Sequence, residues 1–210
     1  MPDLSLSDRI FDDADTGAID PFALFEEWYG KARETEPNDP HAMAVATLDE
    51  AGRPDVRMVL MNAHDDRGFV FFTNFDSRKG EELKGHPETA LVFHWKSMRR
   101  QVRARGPVET VTDAEADAYF ASRSRGSQIA SSVSRQSRPL ASRSSLLADF
   151  EKLKENLGTE AVRRPPHWSG FRVVPREIEF WQDGEFRLHD RVRFTRSDSI
   201  APWSRQRLYP

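Results

Sequence analysis

Arg187, His189 and Arg191 alternate with Leu188 and Asp190 near the end of the chain. If this stretch is a strand, period-two geometry puts the three basic side chains on one face. Three bases on one face imply an anion or an electron-rich ring. His189 can move a proton near neutral pH, and Arg187 can hold a carboxylate, a phosphate or a phenolate. A solvent-facing polar edge accounts for the same alternation. A second cluster is Thr73-Asn74-Phe75-Asp76-Ser77-Arg78-Lys79, where an apolar run ends in a helix start carrying a hydroxyl and two cations. Free N–H groups, the helix dipole, an Arg fork and a Lys point charge together suit a phosphate. The competing reading is a plain N-cap followed by surface cations. Arg57 interrupts the apolar run Arg57-Met58-Val59-Leu60 and needs an anionic partner if it points inward. An edge-facing arginine is the alternative.

Charge is unevenly distributed around these clusters. Residues 1–40 carry 11 acids against three bases, net -8, which leaves the body at +5 in a chain of net charge -3. From Ala118 to Ala148 there is no acidic residue, but five arginines and ten serines. A few Arg and Ser donors satisfy a compact phosphate at close range. With pI about 6.1 the chain lacks the broad basic footprint of a DNA-binding domain, so nucleic acid is not the expected partner. A solvated Ser/Arg-rich loop explains the composition equally well.

The elements that must position these groups are short. Asp20-Pro21 supplies an N-cap and a proline at the first helical position, with Phe22, Leu24, Phe25 and Trp28 as an apolar stripe. Runs at 41–48, 55–63, 69–74, 89–95 and 101–111 read as antiparallel strands separated by tight turns. Ser77 starts a short helix. Thr112-Asp113-Ala114-Glu115 is a capping box, and Leu140–Leu157 has helical spacing. Strands resume at 170–174, 177–182 and 188–195, with Asp183-Gly184-Glu185 as a hairpin turn. Many antiparallel strands with helices inserted late predict one α+β domain, mainly β, built on a barrel over residues 20–210. Residues 1–19 read as a flexible acidic lead-in.

Several chemistries are excluded. The chain has 210 residues, 38% of them hydrophobic and 31% charged, and no cysteine, so thiolate catalysis, disulfides and Cys-ligated metals are closed. No G-x-G-x-x-G, P-loop, G-x-S-x-G or H-E-x-x-H occurs, and the six histidines show no metal-ligand spacing. The start has neither a basic n-region nor an apolar h-region, and no apolar run approaches the roughly 18 residues of a membrane helix. The expectation is a soluble, cytoplasmic protein with no metal and no membrane association.

Taken together, the stretches RMVL (57–60), FFTNFDSRK (71–79), RRQV (99–102), AYFASRSRGSQI (118–129), SRQS (134–137), WSGF (168–171), IEFWQ (178–182) and RLHDR (187–191) are familiar in order and spacing. From about Asp20 to Pro210 the chain resembles the pyridoxamine 5'-phosphate oxidase family. The resemblance implies an FMN-binding split β-barrel with peripheral helices, forming a homodimer with FMN sites at the interface. The family's FMN-binding positions fall on Arg57, Met58, Val59, Leu60, Phe72, Thr73, Arg78, Lys79, Gln101, Gln136, Ser137, Trp181 and Arg191. Its substrate positions fall on Asn62, Tyr119, Arg123 and Ser127, with Arg187 and His189 as the catalytic pair beside the reacting carbon. The implied reaction passes a hydride from pyridoxamine or pyridoxine 5'-phosphate to the flavin, giving pyridoxal 5'-phosphate, and dioxygen then takes the electrons as hydrogen peroxide. The chain departs from the family at Asn62, where a lysine is usual. Two other readings are a phenazine-biosynthesis-type FMN oxidase acting on a tricyclic substrate and a non-catalytic flavin- or haem-binding split barrel.

Overall fold

A computed structural model describes residues 5–12, 14–15 and 17–210. Among these residues, six α-helices and ten strands alternate in the order α1 (Leu6–Arg9), α2 (Pro21–Thr35), β1 (Ala42–Leu48), β2 (Pro54–Leu60), β3 (Ala63–Asp65), β4 (Gly68–Asn74), α3 (Arg78–Gly85), β5 (Glu88–Trp95), β6 (Arg100–Thr110), α4 (Asp113–Ser122), α5 (Arg125–Val133), α6 (Arg143–Leu157), β7 (Trp168–Val173), β8 (Glu177–Gln182), β9 (Asp190–Thr195) and β10 (Ser204–Arg207). All strand pairs are antiparallel. They run β10-β9-β8-β6-β5-β1-β2, with a second branch in which β7 pairs β6 and β4, and β4 pairs β3.

The sheet splits at β6. Its first six residues pair β8, while Val108–Thr110 pair β7, so one long strand serves both branches. Gly106 lies at the changeover, where a Cβ would come within 2.2 Å of the Val174 carbonyl oxygen. Only a residue without a side chain permits that approach. The branches curl around a core of large aromatics, including Phe25, Trp28, Phe69, Phe93, Trp95 and Phe180, all essentially inaccessible to water. Helix α2 plugs this core with Phe22, Leu24, Phe25 and Trp28, as its stripe predicts, and Asp20 caps it by accepting from the Phe22 N–H. The expected α+β split barrel with peripheral helices is thus the observed fold.

Several expectations need correction. The strand expected at 188–195 begins only at Asp190, because residues 185–187 form a 3-10 turn in which Phe186 (φ 55°) and Arg187 (φ 64°) are left-handed. Arg187 and His189 therefore precede the strand, and only Arg191 has the period-two position argued for all three. The acid-free stretch, for which a solvated loop is one of two readings, holds the end of α4, all of α5 and the start of α6, with residues 134–142 lying outside the helices. The helix expected from Leu140 starts at Arg143, with Ser142 as its cap. Strands β3 and β10 and helix α1 were not anticipated. Described residues of the 1–19 segment pack on the barrel: Ile10 is buried, Leu6 and Phe11 lie against the core, and the Leu6 and Ser7 N–H groups donate to the Glu27 carboxylate.

Candidate functional site

The end of β4 turns into α3 through Ser77, whose Oγ accepts from the Gly80 N–H and donates to the Asn74 carbonyl at 2.5 Å. This fixes the first turn of the helix, from which Lys79 folds back toward β4. Its Nζ donates to Gln136 Oε1 at 2.8 Å, Thr73 Oγ1 at 3.1 Å and Ser77 Oγ at 3.4 Å. All three acceptors are uncharged. Burial, reinforced by the nearby charge of Arg57, pushes the ammonium below its usual pKa. The loop that supplies Gln136 is tied to β4 a second time, by Asn74 Nδ2 donating to the Ser134 carbonyl at 3.1 Å. Ser137, next in that loop, is left-handed at φ 70°.

Above Lys79 opens a cavity of about 630 Å³. Met58, Val59 and Leu60 of β2, Asn62, and Phe72 and Thr73 of β4 form one side of its lining; Tyr119, Arg123, Ser127, Ser131 and Gln136 come from the helical region. Tyr119 stacks on Phe72 (4.2 Å between centroids, 14° between planes), and Phe72 stacks on Trp168 (5.2 Å, 6°). This near-parallel aromatic wall suits a flat ligand. Arg123 lies over Trp168 and donates to Ser131 Oγ at 2.6 Å. Burial lowers its pKa, and the guanidinium remains charged. Cavities of this size hold small ligands or cofactors.

Of the nineteen residues named from sequence, the structure brings eleven to this cavity: Met58, Val59, Leu60, Asn62, Phe72, Thr73, Lys79, Tyr119, Arg123, Ser127 and Gln136. Ser137, next to Gln136, does not line it, and Arg78 points elsewhere: its Nε donates to Glu82 Oε1 at 2.9 Å and lies 3.4 Å from Asp55 Oδ2. Arg57 turns away. Its Nη1 donates to the Val45 carbonyl and Thr47 Oγ1, and its Nη2 meets Glu82 and Asp55, each at 3.0 Å. The anionic partner that an inward Arg57 requires is therefore supplied by the protein itself. Burial alone would raise the Glu82 pKa, but bonds from Thr47 and Arg78 and the charge of Arg57 hold it below the usual range.

The remaining five residues lie elsewhere. Gln101, Trp181 and Arg191 stand abreast on β6, β8 and β9, in register. Arg191 pairs with buried Glu179 and donates to the Tyr209 carbonyl. His189 packs its ring on Trp181 at 4.7 Å, and its Nδ1 lies 2.9 Å from Asp183 Oδ1 and 3.1 Å from the Gly184 nitrogen. Arg187 is exposed in its left-handed turn.

Sequence reading missed Ala130, Ser131 and Val133 of α5, and Leu146, Leu147 and Phe150 of α6, as cavity residues. The signal for α5 was present: Ser124 caps it by accepting from the Ser127 N–H, and Ile129 and Val133 stand four residues apart. No helix among the described residues is long and apolar enough to cross a membrane.

Comparisons with known proteins identify the family. The family model for pyridoxamine 5'-phosphate oxidase matches residues 30–156, and that for the pyridoxine 5'-phosphate oxidase C-terminal dimerisation region matches residues 168–210. The pyridoxine/pyridoxamine 5'-phosphate oxidase of Azorhizobium caulinodans is 58% identical over 93% of this chain and 92% of its own length. That of Rhizobium etli is 55% identical over 93% of this chain and 95% of its own. Among solved structures, PhzG from Burkholderia lata 383, in complex with tetrahydrophenazine-1-carboxylic acid, superposes with a TM-score of 0.86 at 32% identity, over 95% of this chain and 96% of that one. Since the two family models between them cover the barrel, the cavity and the C-terminal strands, the chain belongs to the pyridoxamine 5'-phosphate oxidase family.

Proposed function

We propose that this protein oxidises pyridoxamine 5'-phosphate and pyridoxine 5'-phosphate to pyridoxal 5'-phosphate, with FMN as resident cofactor and dioxygen as electron acceptor. The observation that carries the reading is Lys79, a cation at the cavity floor held only by neutral oxygens of Thr73, Ser77 and Gln136. Such a group gains most from an arriving phosphate. The residues present fit FMN: Lys79, Thr73, Gln136 and Ser137 would hold its phosphate, joined by Arg78 on turning from Glu82, and Met58, Val59, Leu60 and Phe72 its flat portion. FMN held there would supply the redox chemistry, as acceptor of a hydride from the substrate carbon and donor of two electrons to dioxygen, which with two protons leaves as hydrogen peroxide; from the amine substrate, water would hydrolyse the resulting imine and release ammonia.

The protein's own residues bind and orient. Tyr119, Arg123 and Ser127 take the substrate phosphate at the far end of the same cavity, and the Tyr119–Phe72–Trp168 wall excludes water from one side. Gln101, Trp181, Arg187, His189 and Arg191 reach the cavity from a second copy of the chain, which completes the site in a homodimer. Two features support that assembly. The match to the dimerisation region covers four of these five residues, and β2, an edge strand bordering the cavity, exposes Val56, Met58 and Leu60. In the assembled site Arg187 holds the substrate and favours charge developing in the transition state, while His189 assists orientation or proton movement. A B6 phosphate is favoured over a tricyclic substrate because the relatives named as B6 oxidases are 58% and 55% identical, against 32% for PhzG.

The test is spectroscopic. The purified protein should carry a flavin spectrum, bleach anaerobically with pyridoxine 5'-phosphate, and recolour on admission of air with release of peroxide. A flavin spectrum that does not bleach would overturn the assignment as an oxidase of this substrate.

A further inference from the structure

Asn62 sits between β2 and β3, and both ends of its side chain are occupied by protein. Its Oδ1 accepts from the Phe72 backbone N–H at 3.2 Å, and its Nδ2 donates to Tyr119 Oη at 2.6 Å. A backbone N–H can only donate, so the end of the carboxamide facing Phe72 must be the oxygen. The end facing Tyr119 must then be the NH₂ group. The amide orientation is thus set by the backbone of β4. Because Nδ2 gives a proton to the phenol oxygen, that oxygen is already an acceptor, and its own hydrogen is left to donate elsewhere. Tyr119 lines the cavity beside Arg123 and Ser127, and its ring is held flat against Phe72.

We propose that Asn62 is a positioning residue for phosphate recognition: the relay from the Phe72 N–H through the Asn62 carboxamide makes the Tyr119 hydroxyl an obligate donor to the anionic end of the substrate. This rests on the reading that Tyr119, Arg123 and Ser127 take the substrate phosphate. Asn62 itself need not touch the ligand. Its contribution is the direction of a hydrogen bond, delivered without added charge.

Substituting aspartate tests that direction, since Asn62→Asp keeps the size and reverses the polarity of one end. A carboxylate accepts from both the Phe72 N–H and the Tyr119 O–H, and so consumes the donor that the ligand needs. The measurement is the affinity of FMN-loaded protein for pyridoxal 5'-phosphate and for unphosphorylated pyridoxal, followed through flavin absorbance. Tyr119→Phe should lower the preference for the phosphorylated ligand about tenfold, the worth of one hydrogen bond to a charged group. Asn62→Asp should lower it by a similar factor when Tyr119 is present, and by little when Tyr119→Phe accompanies it.

If Asn62→Asp costs the same factor in both backgrounds, its charge simply repels the phosphate and the relay is refuted. Equal weakening of both ligands would make Asn62 a structural residue and would also refute it. If neither Arg123→Ala nor Tyr119→Phe alters the preference, the phosphate is not read at this end of the cavity, and the underlying reading fails together with the proposal.

Discussion

Lys79 and Arg57 show how similar residue types in one cluster acquire different work. Arg57 spends both Nη groups on the Val45 carbonyl, Thr47, Glu82 and Asp55, so its charge is neutralised inside the fold. Lys79 is partly buried with only neutral oxygens as hydrogen-bond partners, and it pays a desolvation penalty that a bound dianion would relieve. Lys79→Met should therefore weaken FMN binding by roughly ten- to a hundredfold, the range for losing a hydrogen bond to a charged group. Riboflavin, which lacks the phosphate, should bind the variant about as well as it binds the parent protein. Titration of both flavins into apoprotein checks this, and parallel loss of both would place the phosphate away from Lys79. Sequence alone could not separate the two cations. Their difference depends on Glu82, which reaches Arg57 from a helix 25 residues away along the chain.

At the scale of elements, what was legible in the sequence was local. The caps at Asp20, Ser77 and Thr112 depend on residues within one helical turn, and each is found where its signature predicts. Strands such as β1 and β5 were legible because alternate residues are buried in the core. What failed was whatever the pattern does not encode. Alternation at 187–191 says nothing about backbone handedness, and the left-handed Phe186 and Arg187 break the strand there. Helix α5 is Ser-rich, and tertiary contact with α6 outweighs its weak intrinsic propensity. The capping box of α4 carries a pH-dependent contribution. Thr112 donates to Glu115 through both its N–H (2.8 Å) and its hydroxyl (2.9 Å), and Arg172 adds a charged bond, which together outweigh burial and hold Glu115 at about 2. Because the folded pKa lies below the unfolded value, this stabilisation is complete above roughly pH 5 and is lost as pH falls toward 2. The melting temperature of Glu115→Gln should consequently lie below that of the parent protein at pH 6, with the gap narrowing at pH 4 and further at pH 3. A gap that stays constant over that range would show that the Glu115 charge contributes nothing.

At the scale of the molecule, the groups assigned to the proposed reaction are divided between two surfaces of a single chain. Lys79, Tyr119 and Arg123 line the cavity, whereas Trp181 and Arg191 lie on strands β8 and β9, with Arg187 and His189 on the turn between them. A homodimer of two-fold symmetry resolves the division if each cavity is completed by the partner's C-terminal strands. That arrangement makes a prediction which a single-chain site does not. Arg123→Ala should disable the cavity, and Arg187→Ala should disable the group that completes it, so each homodimer alone should be nearly inactive. In a mixed dimer with shared sites, both lesions fall together in one site, and the other site is formed by an intact cavity and an intact Arg187. Equal mixing with subunit exchange yields about half mixed dimers, each with one good site of two, so activity should recover to about a quarter of the parent value. Mixing should be done by reversible dissociation and reassembly in the presence of FMN, with pyridoxine 5'-phosphate turnover as the readout. If Arg123 and Arg187 served the same site within one chain, every site in a mixed dimer would carry one lesion. Activity would then stay at the level of the single variants, and the shared-site reading would be wrong.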